Sequence, residues 1–114
     1  MAVYVVSQNP SGLLQAIKEA VQERAIDTWS VDSDGDFTHS AEQWKNKAWF
    51  RPAITEDRLI LNILAPKETH LSRAVYGVYH GRFVEMLLNH FDNRFSQARA
   101  TALPTKGDRV DTRR

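Results

Sequence analysis

Residues 30–40 read SVDSDGDFTHS, with Asp32, Asp34 and Asp36 on alternate positions and Gly35 among them. That spacing suits either a calcium loop between two helices or a tight turn between two strands, and the two imply different folds. A helix-flanked calcium loop needs oxygen ligands at its first, third and fifth places, glycine at the sixth and glutamate at the twelfth. Counted from Asp32, the glycine arrives at the fourth place, Phe37 holds the sixth and Gln43 the twelfth. The bend is misplaced and the closing ligand is missing. A hairpin fits better, and its loop length can be chosen. A two-residue Asp34-Gly35 loop would set Val31 opposite Thr38 and scatter the apolar side chains. A three-residue Ser33-Asp34-Gly35 loop pairs Val31 with Phe37 and Trp29 with His39, giving one apolar face. It also puts Gly35 in the left-handed position of a bulge. The stretch is therefore read as a turn with a crowded acidic tip, and no metal is assigned.

Outward from this hairpin the pattern is consistent. Val3-Tyr4-Val5-Val6 are strand formers. Asn9 can cap a helix and Pro10 suits its first position. Leu13, Leu14, Ile17, Ala20, Val21 and Ile26 then fall on one helical stripe, opposite Lys18, Glu19, Gln22 and Glu23. Past the hairpin, QWKNKAWFRPAI alternates, with Trp44, Ala48, Phe50 and Ile54 on one side and Lys45, Lys47, Trp49 and Arg51 on the other. TEDR supplies a turn, and LILNILA returns as a strongly apolar strand, central in the sheet. Pro52 cannot donate to a ladder, which places its strand at an edge or a bulge. From His70 to Phe91 the recurrence becomes helical through Leu71, Val75, Phe83 and Phe91. Residues 94–103 are read as a last strand or an extended arm. The order β-α-β-β-β-β-α, with this further strand, predicts an α+β two-layer sandwich. It consists of an antiparallel sheet of four to five strands with two helices on one face, similar in outline to split β-α-β domains.

With 114 residues, 42% apolar and 25% charged, the chain makes one domain with one modest core. It has no cysteine, which removes disulfides and thiol chemistry. No apolar run reaches the roughly 18–20 residues that cross a bilayer, and MAVYVVSQNP lacks the basic start of a signal peptide. A cytoplasmic location without membrane association is expected. The net charge is +1, but PTKGDRVDTRR at 104–114 carries four basic and two acidic groups, which leaves residues 1–103 at −1. Domain 1–103 is thus near neutral, and 104–114 reads as a disordered basic tail.

Three constellations invite a function. Lys45, Lys47, Trp49 and Arg51 on one strand face would pair phosphate-binding cations with a stacking platform, the pattern of a nucleic-acid surface; the plainer account is a solvated outer face. Gly77 and Gly81 lie four apart in a helix, where each costs about 1 kcal/mol relative to alanine. Close packing onto the sheet would explain them, as would close approach of a second copy or a ligand. Tyr76, Tyr79, His80 and Arg82 surround these glycines and are candidates for a ligand pocket, with Arg82 facing an anion. No nucleophile elbow, phosphate-binding glycine loop or paired metal histidines is present, so no catalytic residue and no cofactor is assigned. The expectation is a non-catalytic interaction domain. It forms a homodimer through its long C-terminal helix and recognises a protein or a small anionic ligand, with nucleic-acid binding as the alternative.

Overall fold

The computed structural model describes residues 1–113, and side chains through Val110. Strand β1 (Ala2–Val6) leads into helix α1 (Pro10–Gln22), then β2 (Trp29–Val31), β3 (Phe37–His39), β4 (Trp49–Ile54), β5 (Arg58–Ala65), helix α2 (Arg73–His90), β6 (Gln97–Ala100) and β7 (Arg109–Arg113). The sheet runs β2-β3-β4-β5-β1-β6, all antiparallel, and β7 pairs with β5 in parallel beyond the start of β1. Because β5 separates β1 from β4, those two strands are parallel; likewise β1 separates β5 from β6. The result is two interleaved β-α-β units with the β2–β3 hairpin appended at one edge. The α+β architecture matches the sequence expectation, with seven strands in place of four to five. The additional ones are β6, within the segment 94–103, and β7.

Local chemistry sets the element boundaries. The Asn9 side chain accepts from the Gly12 amide at 3.0 Å, and Pro10 opens α1. Ser72 caps α2 by accepting from the Val75 amide at 3.2 Å. The hairpin has the expected register, Val31 with Phe37 and Trp29 with His39, and Gly35 sits at φ +84. Asp32 Oδ1 accepts the amides of Asp34 and Asp36, both at 3.0 Å, so one acid of the tip builds the turn.

Both helices cover the same sheet face. Leu13, Ile17 and Val21 of α1 join Tyr79, Phe83, Met86 and Leu87 of α2 against Val3, Val5, Phe50, Leu59, Leu61 and Ile63. An aromatic layer of Trp29, Phe37, Phe50, Tyr79 and Phe83 carries the hairpin onto this core, with Trp29 and Phe83 ring centres 5.1 Å apart.

The segment read from sequence as a mobile tail differs. Asp108, its side chain 1% exposed, meets the Met1 ammonium at 2.9 Å. It also accepts from Asn62 Nδ2 at 2.9 Å, the Ile63 amide at 3.1 Å, and the Thr105 amide and hydroxyl at 2.7 and 2.9 Å. Gly107 at φ +100 lies against the Asn62 side chain, where a Cβ would come within 2.8 Å of Oδ1. Polar closure, not apolar burial, holds residues 105–108 on the end of the sheet. Arg114 lies outside the described residues.

Candidate functional site

Of the proposed nucleic-acid face, only Trp49 and Arg51 lie on a strand. Lys45 and Lys47 belong to a turn over residues 41–47, in which the Lys45 amide donates to Ala41 O at 2.8 Å and the Lys47 amide to Trp44 O at 3.3 Å. Asn46 adopts φ +58, a left-handed conformation asparagine tolerates, and this breaks the alternation. Arg51 is bound to Asp36 through Nε and one terminal nitrogen, at 3.0 and 2.9 Å. The four residues therefore do not make one cationic face.

The cluster Tyr76, Tyr79, His80 and Arg82 also separates. Tyr79 is fully buried, its hydroxyl shared with Thr38 at 3.0 Å and donated to Trp44 O. His80 is 5% exposed, edge-on to Phe50 and Tyr76, with Nδ1 bonded to Tyr76 O and Nε2 without a partner. Arg82 projects outward to Glu85 at 3.3 Å. His80 and Arg82 do not converge, so these residues form no common pocket.

An ionisable cleft does exist nearby, about 380 Å³, where the C-terminal half of α2 faces the β2–β3 edge. His39, Arg82, Glu85, Asn89, His90 and Trp29 are among the residues that line it. The His39 ring packs at a tilt of 59° against Trp29 with centres 5.1 Å apart, and Nδ1 accepts the Ala41 amide at 3.1 Å. In the neutral ring the proton then sits on Nε2, so His39 offers this cleft a donor rather than a base. Spacing along the chain could not reveal it: His39 and Arg82 are brought together by the hairpin folding over α2.

Burial pushes His39 below the ordinary histidine value of 6.5, and Arg82 pushes it further. Burial likewise depresses His80 from 6.5. For Asp108 burial acts upward, but the donors from Thr105, Asn62 and the N-terminal ammonium outweigh it and hold the carboxyl below 3.8. The signs follow from linkage. Below 6.5 the unfolded chain protonates both histidines while the folded rings resist, so stability falls as pH drops through that range. A second loss begins below 3.8, where the unfolded chain takes up the Asp108 proton first. Urea midpoints measured from about pH 7.5 to about pH 3 should decline in these two stages. A His80→Gln variant should flatten the first.

Gly77 and Gly81 are exposed, and a Cβ added at either would meet nothing within 4 Å. Packing onto the sheet therefore does not account for them. At about 100° per residue, Ala74, Gly77, Gly81 and Leu88 share a stripe opposite the buried side chains. Leu88 is 55% exposed. Gly77, Val78, Gly81, Arg82 and Glu85 outline a shallow hollow of about 290 Å³ there.

At the hairpin tip, oxygens of Asp32, Asp34 and Asp36 lie within 4.8 Å of one another. Asp36 is engaged by Arg51 and Asp32 by the turn amides. Among the described residues no helix is long and apolar enough to cross a membrane. No protein-family model matches the chain, and neither the curated proteins nor the solved structures contain a match.

Proposed function

We propose that the chain is a non-catalytic interaction domain that pairs with a second copy through the outer stripe of α2. The observation that carries this reading is the pair of mid-helix glycines facing open space. Each sacrifices about 1 kcal/mol of helix propensity with no return inside its own chain. A bare backbone does repay that cost when another helix approaches closely. The rim suits a two-fold arrangement, because Arg82 and Glu85 flank the hollow beside Gly81. An isologous interface can set Arg82 of one copy against Glu85 of the other, twice.

Gly81→Leu separates the two states. In the dilute monomer nothing is crowded, and the better helix former should raise stability by about 0.5–1 kcal/mol. Association should weaken by about tenfold or more, a loss of roughly 1.4 kcal/mol. Arg82→Glu should also weaken it, and adding Glu85→Arg should restore it. Unchanged self-association in Gly81→Leu would place any interface elsewhere.

A further inference from the structure

The second layer of the sheet carries an observation independent of α2. Strand alternation sends Val3, Val5, Leu59 and Leu61 into the core and leaves Tyr4, Arg58, Ile60 and Arg99 on the opposite face. None of these four belongs to the core that the helices complete, and no helix lies over them. Register places Tyr4 opposite Ile60 on β5 and opposite Arg99 on β6. The Arg58 and Arg99 guanidinium carbons lie 5.3 and 5.6 Å from the Tyr4 ring centre, approaching from the two neighbouring strands. Two guanidinium groups therefore flank one partly buried aromatic ring as cation–π partners.

Arg51, Arg58 and Arg99 project from β4, β5 and β6, and Lys106 stands on the 105–108 loop docked over Asn62. Among the acids nearby, Asp36 is bound to Arg51 with Asp34 also close to that guanidinium, Asp57 lies 3.8 Å from Arg58 at the β4–β5 turn, and Asp108 under the loop is paired with the Met1 ammonium. The Arg99 guanidinium has the Tyr4 ring as its neighbour. Arg99 and Lys106 beside an aromatic centre complement a chain of phosphates bearing planar bases.

We propose that this uncovered sheet face binds single-stranded nucleic acid, with the guanidinium of Arg58, backed by the Tyr4 ring, stacking on bases and Arg99 and Lys106 neutralising phosphates. A single strand is favoured over a duplex because only unpaired bases can lay their faces on a guanidinium plane in the centre of a sheet. Recognition at this level tolerates many sequences: each base has a stacking face, and no hydrogen-bond code is involved.

The experiment is fluorescence anisotropy of the full-length chain with labelled oligothymidine, a duplex of equal length and heparin, across a salt series. Oligothymidine should bind at low salt, more tightly than the duplex, with affinity falling linearly on a log–log salt plot. Tyr4→Phe should bind like the parent, and Tyr4→Ala should lose about tenfold with the salt slope unchanged. Arg99→Glu, at an exposed site that does not threaten the fold, should abolish binding, and Arg99→Gln should reduce the slope by about 0.7, one single-strand phosphate. No oligothymidine binding at low salt overturns the proposal. So does equal binding of heparin with indifference to Tyr4→Ala, which marks a general polyanion surface. Loss of self-association in Arg99→Glu, in the absence of nucleic-acid binding, overturns it in favour of a second copy on this face.

Discussion

Asp108→Ala is expected to lower the free energy of unfolding by about 3–5 kcal/mol, the range for removing one partner of a buried charge pair. The Asp108 side chain is 1% exposed and its carboxylate lies 2.9 Å from the ammonium of Met1, whose side chain is 16% exposed. Without it, that ammonium, the Asn62 amide group and the Thr105 and Ile63 amides lose their shared acceptor. Against a typical stability of about 5–15 kcal/mol the effect is large. Urea unfolding monitored by circular dichroism measures it. A loss under about 1 kcal/mol, the scale of an exposed pair, would mean that residues 105–108 do not dock on the sheet.

Phe83→Ala should cost a similar amount, about 3–5 kcal/mol. Phe83 is fully buried, with the rings of Trp29, Phe50 and Phe37 centred 5.1, 5.3 and 5.8 Å away. It joins α2 to the hairpin and to the central sheet at once, so the vacated volume has rigid aromatic walls that collapse poorly. Leu88→Ala, five residues along the same helix, should change the dilute protein by less than about 0.5 kcal/mol, since Leu88 is 55% exposed. Equal effects at the two positions would contradict the assigned orientation of α2.

The two sites differ in how far sequence could reach them. The hairpin was legible because alternation and turn chemistry agreed: only the three-residue loop puts Trp29, Val31, Phe37 and His39 on one face and lets Gly35 take a positive φ. The caps at Asn9 and Ser72 are local interactions of the same kind. Lys45 and Lys47 misled because a turn beginning at Ala41 imitates alternation until Asn46 reverses the backbone. The 105–108 anchor carries no apolar period; its signal is one carboxylate meeting donors from Met1, Asn62 and Ile63, far away in sequence. The Tyr4 cation–π contacts were hidden for a related reason. Tyr4 sits in an apolar run, and only the pairing of β1 with β5 and β6 shows that it faces away from the helices between two arginines. The glycines were visible as an unexplained cost, but the direction they face needed the fold.

Sedimentation velocity of the unmodified chain, from a few micromolar to several hundred micromolar, tests the pairing through α2 most directly. The weight-average mass should climb from that of one chain to that of two, and Gly81→Leu should hold it near one across the same range. A parent protein that sediments as a single chain at the highest concentration would contradict the account, and the exposed glycines would then need another cause.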